Sequence, residues 1–382
     1  MSNRALVIRF LSGSDFLIHN LSSANDTVLL QSLLETLPAS VDVQDAGTAF
    51  RFLTAALSIT PGKWTLTGTD RLKERPVKTL VDALLKLGAE IRYAGKEGFA
   101  PLVIEGKKLK GGLVEMDASV SSQFVSALLM IAPKLDEGLL LRLNGTIASH
   151  PFIRMTLQLM NHFGVRTEWN ENEIRVAPQP YRPKEYTVER DWTSASYWYE
   201  IAALSKNAEI ILEGLSTHSL QGDVAVSSLM KHLGVKTTET EKGIIISNET
   251  DFHYPEFYEA DCLATPDLAP AVIAAVAGLN LNAKISGVEN LNLKESKRKD
   301  VLTEALHANG ITIRSDEHCV YLNEGALSEN LILNTHKDHR MAMCFAPLAL
   351  KTASVMLDET DVVKKSYPEY WNHLAGAGFI IG

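Results

Sequence analysis

Apolar residues follow two alternating patterns along the chain. Longer stretches with an apolar stripe at three- and four-residue spacing predict helices at residues 48–57, 77–87, 123–131 and 152–163. Short apolar-rich runs between them predict strands at 63–67, 89–93, 139–143 and 165–169. Because short strands alternate with helices throughout, the pattern predicts an α/β protein.

The pattern is also periodic. A small polar residue or an aspartate precedes an alanine- or leucine-rich helix at Ser2, Thr48, Ser121, Ser194, Asp267 and Asp338. From Thr48 onward, successive members of this set are 73, 73, 73 and 71 residues apart. Amphipathic helices end in glycine plus an apolar residue with a similar period, at Gly88, Gly164, Gly234, Gly310 and Gly378. The sequence therefore predicts six copies of one unit.

Six units divide naturally into two similar domains of three units each. We predict domains at residues 1–188 and 189–382, with helix N-termini converging on a cleft between them. An open solenoid without chemistry is the alternative, but such an array has polar caps at its ends. We find no such caps, and the units differ most at their helix starts, where binding groups are expected.

Composition excludes several classes of partner. A formal net charge of −9 argues against general binding of nucleic acid or of anionic membranes. The N-terminus carries no signal peptide. The 3 cysteines fit neither a disulfide framework nor a metal site, which suits the reducing cytoplasm. We expect a cytoplasmic monomer without a metal site.

One stretch combines an anion-binding helix start with a basic cluster. Gly47 and Thr48 form a tight turn into a helix, whose first N–H groups and dipole favour an anion. Arg71, Lys73 and Arg75 follow some twenty residues later, and Pro76 then starts the next helix. A phosphate or carboxylate ligand is one interpretation. A capped helix beside a solvated basic turn is the other.

Further polar residues stand at the starts of other units. Ser2, Ser121, Asp267 and Asp338 each suit a helix N-cap, which is the default role for such residues. Residues 294–300 are charged enough to be a solvated helix face, and Arg340 suits an exposed position after its cap. Asp267 could instead serve as a general base, with Lys294 and Glu295 within reach of one centre.

Ordered motifs give the chain a resemblance to a known family. They are Ser-Asn-Arg-Ala-Leu (residues 2–6), Gly-Thr-Ala-Phe-Arg (47–51), Arg-Leu-Lys-Glu-Arg-Pro (71–76), Ser-Ser-Gln-Phe (121–124), Pro-Asp (266–267), Asn290, Lys-Glu (294–295), Asp-His-Arg-Met-Ala-Met (338–343) and Lys-Ser-Tyr-Pro (365–368). With these motifs the chain resembles the 5-enolpyruvylshikimate-3-phosphate (EPSP) synthase family along nearly its whole length. The resemblance implies two domains, each of three βαβαββ units.

The resemblance also implies a reaction and its residues. The enolpyruvyl group of phosphoenolpyruvate passes to the 5-hydroxyl of shikimate 3-phosphate by addition and elimination, without a cofactor, and phosphate is released. Catalytic roles fall to Asp267, Glu295 and Lys365. Shikimate 3-phosphate would be bound by Ser2, Arg4, Ser121, Ser122, Gln123, Ser149, Asp267, Asn290 and Lys294. Phosphoenolpyruvate would be bound by Gly47, Arg75, Gln123, Arg298, Arg340 and Lys365.

Two alternatives stay open within this fold. Relatives have a strand and a Gly-Ser-Lys-Ser segment before Ser-Asn-Arg, and its lysine contacts both substrates; we expect the chain to lack them. A catalytically impaired binding protein is therefore one alternative. The other is an enolpyruvyl transferase for a UDP-sugar. Many such enzymes use a loop cysteine in the N-terminal half, whereas the cysteines here begin at Cys262.

Overall fold

The computed structural model describes residues 1–117, 121–145, 147, 149–249 and 251–382. The chain divides into two compact units, Met1–Val188 and Glu189–Gly382. Each unit has its own continuous apolar core. Among the described residues, no helix has the length and apolar character needed to cross a membrane.

The first unit contains the following described elements. Its helices are α1 (Ser2–Ser12), α2 (Asn25–Thr36), α3 (Gly47–Ser58), α4 (Asp70–Lys73), α5 (Lys78–Lys86), α6 (Ser122–Ile131) and α7 (His150–His162). Its strands are β1 (Ile18–His19), β2 (Ser40–Asp42), β3 (Gly62–Thr67), β4 (Glu90–Tyr93), β5 (Leu102–Gly106), β6 (Gly112–Asp117), β7 (Leu139–Asn144), β8 (Thr167–Asn170), β9 (Glu173–Val176) and β10 (Tyr186–Thr187).

Two sheets of this unit repeat one topology. Their strand orders are β2-β3-β5-β4 and β6-β7-β9-β8. In each sheet the first two strands are parallel and the other neighbouring pairs are antiparallel. With the intervening helices, this is the βαβαββ unit. Strands β1 and β10 form a separate parallel pair.

The second unit is built in the same way. Its helices are α8 (Trp192–Leu204), α9 (Val226–Lys231), α10 (Ala269–Leu279), α11 (Arg298–Ala308), α12 (His339–Phe345) and α13 (Tyr370–Gly376). Its strands are β11 (Glu209–Glu213), β12 (Val235–Thr240), β13 (Gly243–Asn248), β14 (Tyr258–Asp261), β15 (Ala283–Ser286), β16 (Thr312–Ser315), β17 (Cys319–Asn323), β18 (Asn330–Leu333) and β19 (Ser354–Leu357). Sheet β14-β15-β17-β16 has the complete topology, and β11-β13-β12 and β18-β19 are smaller.

Helix ends agree closely with the sequence pattern. Gly88, Gly164, Gly234, Gly310 and Gly378 all have positive φ, between 80° and 99°. A residue with a Cβ atom rarely adopts this conformation, so glycine ends these helices. The predicted α/β fold and the glycine period are confirmed.

Helix starts differ from the prediction in their capping. Ser2 does not cap α1; its hydroxyl accepts a hydrogen bond from the Ser22 N–H at 3.1 Å. Asp191, not Ser194, caps α8. Asp267 lies in a short 3₁₀ turn (Pro266–Leu268) before α10 and makes no capping bond there. Pro76 precedes Val77, the N-cap of α5, and so lies just outside that helix.

Candidate active site

In the second unit, five predicted site residues form one cluster of ion pairs around Arg298. The guanidinium of Arg298 is almost completely buried at the start of α11. It contacts the Asp267 carboxylate at 3.1 Å and the Glu295 carboxylate at 2.5 Å. Asp267 also accepts from Lys294 at 3.3 Å and from Arg340 at 3.1 Å. One carboxylate therefore lies against three cations.

Asp338 fastens this cluster to two helices. Its carboxylate accepts from Arg298 Nε at 2.8 Å and from the Arg340 backbone N–H at 3.0 Å. The second bond caps α12, as the sequence predicts. The Ser296 hydroxyl adds a further bond at 2.9 Å. Asp338 is fully buried, and sequence reasoning assigned it only the cap.

The cluster shifts the acidity of its members. Burial alone would raise the pKa of Asp267, but Arg340, Lys294 and Arg298 outweigh burial and hold that pKa below its usual value. Burial lowers the pKa of Lys294, and Asp267 opposes the shift. At neutral pH the Asp267 carboxylate is therefore ionised and stabilised by its three cations.

Two other predicted residues of this unit lie on neighbouring turns. Asn290 precedes the 3₁₀ turn Leu291–Leu293, which leads directly to Lys294. Lys365 ends the 3₁₀ turn Thr360–Lys365, which packs against α12. Both residues are half-buried. The catalytic role of Lys365 stays a prediction.

In the first unit, Gly47 and Arg75 are in direct contact. Gly47 is the first residue of α3, and the buried Arg75 guanidinium lies against its Cα. A Cβ atom on residue 47 would lie 2.2 Å from Arg75 Nη1. Only glycine leaves room for this guanidinium at the helix start. Gly47 and Arg75 are twenty-eight positions apart in the sequence and are therefore neighbours only in the folded structure.

Gln123 lies beside the same helix start. Ser121 caps α6, and its hydroxyl accepts from the Gln123 N–H at 3.3 Å, as predicted for an N-cap. The Gln123 side chain bonds to two residues of α3. Its Oε1 accepts from Arg51 at 2.5 Å, and its Nε2 donates to the Thr48 hydroxyl at 3.1 Å. Sequence reasoning assigned no role to Arg51.

Arg4 is held by buried hydroxyl groups. Its Nε donates to Thr156 Oγ1 at 2.7 Å and its Nη2 donates to Ser126 Oγ at 3.3 Å. Burial lowers the pKa of Arg4 to about 10, which leaves it charged at neutral pH. The sequence signal for these partners is the presence of hydroxyl residues at core positions of the apolar helices α6 and α7.

The two other predicted serines of this unit, Ser122 and Ser149, lie at the starts of α6 and α7. Ser122 is buried in the first turn of α6. Ser149 precedes α7 in a left-handed conformation, with φ of 56°. Positive φ is uncommon for a residue with a Cβ atom, and such residues cluster at functional sites.

The alternative structural interpretations are partly wrong. Residues 294–300 do not form a solvated face, because Arg298, Lys299 and Ser296 are buried. The Arg340 side chain is only 13% exposed, contrary to the exposed position considered for it. Arg71 and Lys73 do match a solvated basic turn, since they are exposed to 40% and 38% and pair with Glu74 and Asp70.

The chain is similar to known proteins along nearly its whole length. The model of the family "EPSP synthase (3-phosphoshikimate 1-carboxyvinyltransferase)" matches residues 2–374. The chain belongs to the EPSP synthase family. A 3-phosphoshikimate 1-carboxyvinyltransferase from Bacteroides fragilis (strain YCH46) is 44% identical over 383 residues, which cover 99% of this chain and 93% of that relative. The enzyme of the same name from Tolumonas auensis is 31% identical, with 98% and 93% coverage.

Solved structures with the EPSP synthase fold agree. An EPSP synthase from Acinetobacter baumannii superposes with a TM-score of 0.75 at 21% identity, covering 98% of this chain and 93% of that chain. The enolpyruvyl transferase NikO from Streptomyces tendae gives 0.73 at 13% identity, with 99% and 93% coverage. At these identities the likeness concerns the fold. The predicted EPSP synthase family and transferase class are confirmed.

The part of the chain that the structure describes holds no group of three or more His, Cys, Asp or Glu side chains that could bind a metal ion. The Asp267 carboxylate of this EPSP synthase family member faces Lys294, Arg298 and Arg340.

Proposed function

We propose that this protein transfers the enolpyruvyl group of phosphoenolpyruvate to the 5-hydroxyl of shikimate 3-phosphate and releases phosphate. The observation that supports this most is the Asp267 carboxylate surrounded by Lys294, Arg298 and Arg340 at 3.1–3.3 Å. Three cations beside one carboxylate suit a site that binds two anionic substrates and takes a proton from a hydroxyl group of one of them. We further infer that the enzyme acts in the cytoplasm as a monomer.

The binding roles proposed for these residues follow their charge. Arg75, Arg298, Arg340 and Lys365, with Gly47 and Gln123, would hold the phosphate and carboxylate of phosphoenolpyruvate. Shikimate 3-phosphate would be bound by hydroxyl, amide and cationic side chains and by the Asp267 carboxylate. These are Ser2, Arg4, Ser121, Ser122, Gln123, Ser149, Asp267, Asn290 and Lys294.

Substrate binding would activate Asp267. Without ligand, the three cations hold its pKa low and make it a weak base. Phosphate and carboxylate groups bound to the same cations would offset their charge at Asp267. The pKa of Asp267 would then rise toward the range of an effective base, so proton removal would be coupled to the presence of both substrates.

The proposed reaction then has two steps. In the addition, the 5-hydroxyl oxygen bonds to C2 of phosphoenolpyruvate, Asp267 takes the hydroxyl proton, and C3 gains a proton from Glu295. In the elimination, Glu295 takes a proton from C3 and the C2–O bond to phosphate breaks, which restores the double bond. Glu295 would enter the addition as the protonated acid and leave it as a carboxylate, which accepts the C3 proton in the elimination. Arg298, 2.5 Å from Glu295, would stabilise that carboxylate between the two steps.

The UDP-sugar alternative has less support. A loop cysteine that takes part in catalysis must be accessible and easily ionised. All three cysteines of this chain are buried. Burial raises the pKa of the Cys262 thiol to about 12, which keeps it protonated.

Phosphate release from phosphoenolpyruvate tests the proposal. Release should require shikimate 3-phosphate and should not occur when a UDP-sugar replaces it. A second version of the protein, with the Gly-Ser-Lys-Ser segment placed before Ser2, should be run beside the chain as printed. Release with the UDP-sugar alone would reverse the assignment of the substrate.

Calorimetric titration separates the enzyme from a binding protein. If both versions bind the two substrates but neither releases phosphate, the impaired binding protein is the better description. If neither version binds either substrate while both unfold cooperatively, the proposed function is wrong.

A further inference from the structure

Two residues on one face of α3 enclose the side-chain amide of Gln123. Thr48 and Arg51 are three positions apart, so their side chains point from adjacent turns of the same helix face. Helix α6 packs against α3 and brings Gln123 between them. Arg51 Nη1 lies 2.5 Å from Gln123 Oε1, and Gln123 Nε2 lies 3.1 Å from the Thr48 hydroxyl.

Arg51 determines which end of the amide faces it. A guanidinium group has only donors, so its partner must be the amide oxygen and not the NH₂ group. The NH₂ group then points to Thr48, whose hydroxyl oxygen accepts one hydrogen. A terminal amide otherwise rotates readily between its two orientations. The bond from Arg51 therefore removes an ambiguity that Gln123 would have by itself.

Arg51 is itself held in place. It is buried, and its guanidinium lies over the ring of the buried Phe124, 5.2 Å from the ring centroid. A cation above an aromatic face is attracted to it. Phe124 follows Gln123 directly, so α6 supplies both the platform for the guanidinium and the amide that it contacts.

We propose that Arg51 is a positioning residue, which fixes the Gln123 amide so that its second N–H is presented to a ligand oxygen. This inference rests on the proposed function, in which Gln123 binds both substrates. Because an N–H of Gln123 faces the ligand, Gln123 would bind only ligand groups that accept a hydrogen bond, such as phosphate, carboxylate or hydroxyl oxygens. Hydrogen-bond donors would meet an N–H group and bind poorly.

Variants at both positions test the contact without any substrate. Arg51→Met keeps the length of the side chain and removes its donors, and Gln123→Ala removes the amide. In thermal unfolding, the double variant should lose less stability than the sum of the single losses. Additive losses would overturn the contact. This readout does not depend on activity and therefore stays valid if the proposed function fails.

Substrate titrations test the positioning role. Arg51→Met should weaken binding of shikimate 3-phosphate and phosphoenolpyruvate about tenfold, the scale of one lost charge-assisted bond. Arg51→Lys retains one donor and should restore part of the affinity. In the Gln123→Ala background, Arg51→Met should have little further effect on affinity. An equal loss in both backgrounds would overturn the proposal.

A variant that replaces the amide by a carboxylate tests the donor requirement. Gln123→Glu replaces the NH₂ group by an acceptor and should form an ion pair with Arg51, so the folded protein should remain stable. Its affinity for both anionic substrates should nevertheless fall by more than tenfold, since no N–H faces the ligand. Unchanged affinity would contradict the inference.

Arg154→Met is a suitable control for the loss of an arginine over a ring. Arg154 is exposed and lies 4.9 Å from the centroid of the Trp169 ring. This variant should leave the substrate affinities unchanged. A loss equal to that of Arg51→Met would point to a general effect of lost charge and would contradict positioning.

Discussion

The guanidinium of Arg75 occupies the space where a side chain of residue 47 would begin. Nη1 of Arg75 would lie 2.2 Å from a Cβ atom on Gly47, well inside van der Waals contact. Glycine at this position is therefore a condition for the location of Arg75. This relationship leads to the first prediction.

Gly47→Ala should displace Arg75 and raise the KM for phosphoenolpyruvate about tenfold or more, the scale of one displaced charged hydrogen bond. Because Gly47 lies in a helix, alanine should not destabilise the backbone. Steady-state kinetics with each substrate varied would measure the effect. Gly376→Ala is the control, because nothing lies within 4 Å of its Cβ position. A KM unchanged in Gly47→Ala would mean that Arg75 does not bind this substrate.

Asp267→Asn should lower kcat by about 10²–10⁴-fold, the usual contribution of a general base. It should also leave Lys294, Arg298 and Arg340 with less compensating charge, so the melting temperature should fall. Phosphate release and thermal unfolding measure the two effects. The nearby exposed Asp261 accepts a bond from the Leu263 N–H, and Asp261→Asn is the control. A kcat within threefold of the unsubstituted protein would exclude Asp267 as the base.

Arg298→Ala should destabilise the second unit by about 3–5 kcal/mol, because it leaves buried carboxylates without their cation. Asp338, Glu295 and Asp267 all contact this guanidinium. Arg142 pairs with Glu115 and Glu173 at the surface, and Arg142→Ala should have little effect on stability. Chemical denaturation compares the two variants. Equal losses would contradict the importance of burial.

Asp223 makes stability depend on pH. This carboxyl group is buried in the turn Gly222–Ala225 and accepts a short hydrogen bond from the Thr193 hydroxyl. Burial, with the charge of Asp267, raises its pKa to about 7. The folded protein holds this proton more tightly than the unfolded chain. Its stabilising contribution is therefore complete below pH 3.8 and is lost as the pH rises to about 7.

Asp223→Asn should remove this loss of stability at higher pH. At pH 8 the variant should be more stable than the unsubstituted protein by about 2–4 kcal/mol, and the difference should shrink toward zero near pH 4. Denaturation curves at several pH values give the comparison. The fully exposed Asp70 is the control, since Asp70→Asn should show no such trend. A difference independent of pH would show that Asp223 does not titrate in this range.

Glu200, in helix α8, is a second buried carboxyl group that makes stability depend on pH. It is fully buried, no described group hydrogen-bonds to its carboxylate oxygens, and burial raises its pKa well above the usual value. Because the folded protein holds the proton of Glu200 more tightly than the unfolded chain does, the contribution of Glu200 to stability falls as the pH rises above 4.5. Glu200→Gln should therefore stabilise the protein increasingly toward alkaline pH, with phosphate release unchanged. A variant that is less stable at every pH would contradict this.

The sequence pattern predicted the repeat because its markers have local causes. A glycine that ends a helix needs positive φ, and this demand is visible at Gly88 or Gly310 without any tertiary structure. Strands such as β5 and β9 were not predicted, because they follow a helix–strand pair and carry no marker of their own. Their pairing depends on residues distant in sequence.

Basic site residues could be predicted because clusters of positive charge stand out in a chain whose net charge is negative. Arg298 and Arg340 were identified, but their burial was not, because a dense run of charges is usually solvated. The partner that buries Arg298 is Asp338, forty residues away. Likewise, Arg51 and Gln123 are seventy-two residues apart, and only the packing of α3 against α6 brings them together.

Asp338 also acts as a fixed spacer between two cations. It caps α12 by accepting from the backbone N–H of Arg340, and its other oxygen accepts from Nε of Arg298 at the start of α11. The guanidinium groups of Arg298 and Arg340 both contact the Asp267 carboxylate, at 3.1 Å each. An anion bound by both guanidinium groups must fit the separation that these two carboxylates set, so the size of the ligand depends on Asp267 and Asp338 as well as on the cations.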